Sequence, residues 1–277
     1  MRFVLTDHIT DKGEGACNED LAGLGDQLAW VIDGATDVYL NTYLPGITDA
    51  RWLVERLDGE LRRAEAELTM GDLPALYGRL AEYVRLELAA VDYPKDRLPP
   101  ACSCGIARPA PGQGIVELAL VGDVYLLANP SRDLLSNPYF SKREAAGVRQ
   151  ARIRNGGSGL ELVHKDREQI AMRRRGYLRG TDGNFVLSNN PDVVRGVRTK
   201  NVAVRPGDSL LLCTDGLARL VEGYKVYESW ATLSDVVAKD GLSAVLDELR
   251  AYERSHTRSE QNYKASDDVC AMVLTIG

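Results

Sequence analysis

Apolar positions in this chain follow two rhythms. Mostly apolar stretches, many rich in Val, Ile and Leu, occur at 28–33, 103–108, 115–121, 124–128, 201–204, 209–214 and 269–276, with others at 2–6 and 185–188. That composition predicts buried strands. Elsewhere apolar residues recur at helical spacing: Trp52, Leu53, Leu57, Leu61, Ala64 and Leu68 within 48–68, then Leu73, Leu76, Leu80, Val84, Leu88 and Val91. The second stripe opens on Asp72 as N-cap, with Pro74 in the first turn. A third helix is expected at 243–254, with Val245, Leu246 and Leu249 on one face. Strands, two helices, more strands, a helix and a last strand predict one α+β domain over residues 1–277.

Several strand candidates end on acid. Leu28–Gly34 (LAWVIDG) finishes in Asp33-Gly34, Leu118–Asp123 in Asp123, and Leu210–Gly216 in Asp215-Gly216, while Asp267-Asp268 precedes the closing strand. An Asp-Gly pair is often only a turn, which is the competing reading at any single station. A carboxylate buried without a partner prefers to take up a proton, and several together also repel. A divalent cation resolves both costs, and an all-oxygen donor set selects magnesium, manganese or calcium over zinc. A metal site assembled from strand ends is the expectation.

Composition narrows the rest. A net charge of −6 and a pI near 5.3 argue against a general nucleic-acid partner. The chain has no apolar run near the roughly 20 residues of a membrane span and no leader-like start, so a cytoplasmic location is expected. Five scattered cysteines lack paired spacing, which suits buried thiols, and three histidines give little support to histidine-centred catalysis. Residues 142–179 hold eleven Lys or Arg against four Asp or Glu, a net +7, leaving −13 for the remainder. Such a segment is either a solvated excursion or a basic flap that attracts a phosphorylated substrate.

The acidic stations, taken in order, resemble the protein phosphatase 2C family of metal-dependent serine/threonine phosphatases, bacterial type. The matching pieces are Asn18-Glu19-Asp20, Ile32-Asp33-Gly34, Val121-Gly122-Asp123, Thr214-Asp215-Gly216 and Asp267-Asp268, with LLLCTDGLARLVE and DDVCAMVLTI as their neighbours. The resemblance implies a four-layer sandwich, two stacked antiparallel β-sheets flanked by helices, with a variable basic flap at about 138–184. It implies two manganese or magnesium ions, with a third as an option. Asp33 would bridge the pair, the Gly34 carbonyl would bind one ion, and Asp215 and Asp267 would complete the shell of the second ion. Glu19 and Asp20 would act mainly through water, and Asp123 would serve the third ion. The implied reaction is hydrolysis of phosphoserine or phosphothreonine in proteins by a hydroxide held between the two ions.

Two departures bear on that reading. Many members carry a phosphate-binding arginine where this chain has Gly15, so Lys12, Arg143 or Arg175 is a candidate replacement. Eukaryotic members often place His after the first Asp-Gly pair, whereas Ala35 stands here. The alternatives are a pseudophosphatase that binds metal or a partner without turnover, and an enzyme for a small phosphorylated metabolite. A monomer with a phosphoprotein substrate is expected.

Overall fold

The computed structural model describes the whole chain except residues 40, 68–70, 111, 113, 157–158 and 256–262, together with the side chains of 159 and 160. Leu68, placed above on the first helical stripe, lies outside the described residues.

Two five-stranded antiparallel sheets stack face to face. The first runs in the order β2 (Asp20–Leu24), β3 (Ala29–Gly34), β4 (Cys102–Ala110), β5 (Ile115–Val121) and β8 (Arg198–Ala203). The second runs β1 (Phe3–Asp11), β10 (Val269–Ile276), β9 (Ser209–Cys213), β6 (Tyr125–Asn129) and β7 (Asp133–Leu135). Helices α1 (Asp49–Ala66) and α2 (Leu73–Ala90) cover the first sheet, and α5 (Asp215–Glu222) and α6 (Trp230–Ser255) cover the second.

The four layers explain why the strands read as mostly apolar stretches. Side chains alternate across a strand, so a strand covered on both faces needs apolar residues at every position. In β3, Trp30 and Ile32 pack on α1 and α2, whereas Ala29 and Val31 meet Leu210, Leu212, Met272 and Leu274 between the sheets. In β9, Leu211 and Cys213 turn outward to α5 and α6. The helix signals hold locally as well: Thr48 accepts from Arg51 N at 3.0 Å and Asp72 from Ala75 N at 2.7 Å, capping α1 and α2. Within α6 the helical path breaks at Gly241 (φ 83°), and Asp7 Oδ2 accepts from Leu242 N at 2.7 Å where it resumes.

The basic segment is regular structure whose Lys and Arg are mostly exposed. It forms a helical hairpin, α3 (Pro138–Asn155) and α4 (Gly159–Leu178), around a small core of Val148, Ala151, Leu162, Val163 and Tyr263. Its inner face covers the cavity instead of a sheet. Residues 185–188 supply a single bridge, Leu187 to Cys102, rather than a full strand. No helix among the described residues is long and apolar enough to cross a membrane.

Candidate metal centre

The site lies at one end of the sandwich, where strand register brings acids together. Asp33 near the end of β3 is paired with Asp20 of β2 on one side and Ser103 of β4 on the other. Like charges directly across a ladder repel, so the Asp20–Asp33 pair costs stability unless something positive joins it. Ser103 Oγ donates to Asp123, which fixes the turn after β5 against β4. Arg51 of α1 holds the start of β2 by donating to the carbonyls of Asn18 at 3.1 Å and Asp20 at 3.3 Å.

The two Asp-Gly pairs are sites of close approach. A Cβ on Gly34 would lie 2.5 Å from the Glu19 carbonyl oxygen, and one on Gly216 would lie 2.0 Å from that of Asp268. Only glycine lets β3 and α5 meet those backbones, which draws Asp33 and Asp215 toward the loop 12–19 and the start of β10. Asp268 closes the same junction, accepting from Gly13 N at 2.8 Å and Glu19 N at 2.7 Å. It is a structural clamp.

Asp33, Asp215 and Asp267 all line one cavity of about 220 Å³, together with Asp20, Asp123 and Glu144. Gly34 lines it too, while Glu19 is buried just behind. Asp20 is buried, and its Oδ2 has no hydrogen-bond partner. Burial first, then neighbouring acids, pushes Asp20, Asp33 and Asp215 well above the ordinary carboxylate range. Glu144 reaches in from α3 and is pushed up to about 7 by burial, with Asp267 and Asp123 adding to it and Arg219 opposing. Asp267 differs. Burial would raise it, but Lys264 and Arg219 prevail and hold it below the usual range. Lys264 Nζ lies 2.8 Å from Asp267 Oδ1, and Arg219 Nη2 contacts Oδ2.

The hairpin roofs the cavity with Phe140, Val163, Ile170 and Tyr177, and with Arg173 and Arg174. Arg174 donates to the Thr36 carbonyl at 2.8 Å and has no ion pair among the described residues. Burial lowers its pKa, with Asp37 and Glu19 only partly opposing. Arg173 donates to Tyr263 Oη at 2.6 Å. None of the three substitutes suggested from sequence lies on the cavity wall: Lys12, Arg143 and Arg175 are exposed, and Arg143 stacks over Tyr139. One helical position, about 100° of rotation, separates Arg175 from the inward-facing Arg174.

Several wall residues escaped sequence reasoning. Arg219 was legible in principle, since it follows Asp215 by four and shares its helix face. Glu144, Arg174 and Lys264 carried no local signal, because the hairpin and the 263–266 bend that aim them have no strong pattern.

The donors fit a divalent cation. They are all oxygen, several are held charged only at a cost, and Asp20 Oδ2 is a buried acceptor without a donor. Asp20, Asp33, Asp123, Asp215 and Glu144 could hold it.

No protein-family model and no curated protein matches this chain. Solved structures do match it. The serine/threonine phosphatase PstP/Ppp of Mycobacterium tuberculosis aligns at TM-score 0.56 and 17% identity, over 100% of this chain and 99% of that one. The catalytic domain of PstP in complex with two manganese ions gives 0.53 and 16%, over 99% and 97%. PppA, a key regulatory component of T6SS in Pseudomonas aeruginosa, gives 0.54 and 18%, over 98% of each chain. Along its whole length, then, the chain has the fold of the bacterial serine/threonine phosphatases that its acidic motifs resemble.

Proposed function

We propose that this chain is a metal-dependent phosphoprotein phosphatase that hydrolyses phosphoserine or phosphothreonine, with manganese or magnesium as its cation. The observation that carries the reading is the convergence of strand-end carboxylates on one cavity, with Asp20 Oδ2 left without a donor. Divalent cations, when bound, supply an activated water at neutral pH and positive charge for the phosphoryl oxygens. Asp33, at the centre of the ladder, is the principal carboxylate holding them, and the Asp20 side chain beside it orients water.

The chain's own residues account for substrate binding. Arg174 takes the part of the arginine missing at Gly15: one N–H is spent on Thr36, and the rest of its fork is available to a phosphate. Phe140 and Tyr177 on the lid narrow the opening and exclude bulk water. The lid's outer basic residues favour approach of an anionic phosphopeptide.

The test is turnover of a phosphothreonine peptide by metal-free protein before and after manganese is restored. Activity is expected only with manganese, and Asp33→Asn should lower it at least about 100-fold, the upper range for losing even an indirect metal partner. Turnover that persists in a chelator, or in Asp33→Asn, would refute the reading. A pseudophosphatase is favoured by one feature, the pairing of Asp267 with two fixed cations. Tight manganese binding without turnover of any phosphopeptide would select it.

A further inference from the structure

We infer that this chain builds its cation centre on Asp33, Asp123, Glu144 and Asp215, and that Asp267, a ligand in the resemblance, belongs instead to Lys264 and Arg219. The inference rests on the proposed metal dependence but concerns which residues serve it.

Asp267 is fully engaged. Its Oδ1 accepts from Lys264 Nζ at 2.8 Å and from Asp268 N at 3.1 Å, and its Oδ2 accepts from Arg219. Both cations are buried, 8% and 5% exposed, so neither can turn to water if Asp267 is taken from it. Arg219 is held further by the Lys264 carbonyl at 3.4 Å and by Glu253, itself bound to Arg250 at 2.6 Å. A divalent ion seated on Asp267 would take from Lys264 its one ion-pair partner among the described residues, leave Arg219 only Glu253 at 4.0 Å, and lie beside both cations, which is repulsive.

Asp123, Glu144 and Asp215 present the opposite case. Each offers an oxygen, and these lie within 4.8 Å of one another, the one such trio among the described residues. No described residue donates a hydrogen bond to the Glu144 side chain, although it points into a cavity lined by four further acids. Arg219 and Lys264 attract Glu144 from across the cavity, but neither forms an ion pair with it among the described residues, and the acids around it repel it. Its position is understandable if a cation belongs between the three groups, and Asp33 adjoins them across the same cavity. Because Glu144 sits on α3, loading the cation also holds the lid down.

The experiment uses the full chain stripped of metal and titrated with manganese alone, counting free ion by electron paramagnetic resonance. Glu144→Gln keeps the side-chain shape and is expected to weaken binding at one site at least about tenfold. In manganese-soaked crystals, the anomalous peak is expected among Asp123, Glu144 and Asp215, with Lys264 still on Asp267. Glu144→Gln titrating like the wild type, or an ion on Asp267 with Lys264 displaced, would overturn this assignment while leaving the phosphatase reading intact. Absence of manganese binding in the wild type would overturn both.

Discussion

The sandwich and the lid reach the same cavity by different physics. The sandwich places Asp33 beside Asp20 through strand register, with Trp30 and Ile32 of the same strand fully buried against α1 and α2. The lid has its own core of five described residues and is tied down by polar contacts: Arg174 to Thr36, Tyr139 to Asp182 at 3.1 Å, and Tyr263 to Asp166 at 2.8 Å. Rigid strand ends suit groups that must hold a cation in fixed geometry. A hairpin with a small core suits groups that meet a substrate and must let it go. On the proposed reading the sandwich supplies all the cation's ligands but Glu144, and the rest of the lid meets the substrate.

Arg174→Ala tests that division most strongly. Removing a charge-assisted contact costs about 1.5–3 kcal/mol, or roughly 10- to 150-fold in kcat/KM for a phosphopeptide. Most of the loss should appear in KM, and manganese affinity should stay within about twofold, since the side chain touches no acid. Arg174→Lys should recover part of it, because a point charge replaces the fork without its geometry. A loss confined to manganese affinity would place Arg174 with the metal and erase the distinction.

The cavity acids, Glu144 of the lid among them, give an effect of intermediate size on stability. Carboxylates raised by folding bind more protons in the folded than in the unfolded chain between about pH 4 and 7. Stability of the metal-free protein must therefore increase as pH falls through that window. Asp267, held low, contributes in the opposite sense, but its contribution is lost only at more acidic pH. One proton of difference is worth about 1.4 kcal/mol per pH unit, so melting at pH 6 should exceed that at pH 8 by about 3 °C or more. Manganese at 100 times its dissociation constant should add about 2.7 kcal/mol and flatten the trend. A melting temperature that climbs with pH in the metal-free protein would contradict the burial of these acids.

The same contrast governs what could be read from the chain itself. Asp33, Asp123 and Asp215 were legible because each follows an apolar run that reads as a buried strand, and Asp33 illustrates it. Strand β2 was harder to see. With Gly23 pressed against Trp30 and only five residues, it carries little β character of its own and depends on pairing with β3. The lid helices were hidden for another reason. Their polar positions face solvent on one side and the cavity on the other, so the apolar stripe is too thin to show. Which arginine points inward depends on hairpin rotation, and Arg175 could not be told from Arg174 without it. Asp267 lines the cavity, and its pairing with Lys264 and Arg219 depends on a bend and a helix face that no tripeptide records.

The smallest effect isolates the lid as a separate unit. Tyr263 Oη donates to Asp166 Oδ2 at 2.8 Å and accepts from Arg173, while its ring packs with Val148, Ala151, Leu162 and Val163. Asp166 is buried and also takes Arg154 Nη2 at 2.7 Å, so it joins both lid helices to the 263–266 bend. Tyr263→Phe keeps the ring and removes only the hydroxyl, a change worth about 0.5–1.5 kcal/mol. If the lid opens as its own unit, that energy appears as roughly 2- to 12-fold faster hydrogen exchange in α3 and α4. Amides of β3 and β9, whose exchange requires the sandwich to open, should not change. Equal acceleration in both regions would mean that lid and sandwich unfold together, and the assignment of recognition to a separately mobile element would fail. Exchange confined to the hairpin, and slowed again by manganese, would tie lid closure to the cation through Glu144, since that side chain is the hairpin's one carboxylate in the cavity among the described residues.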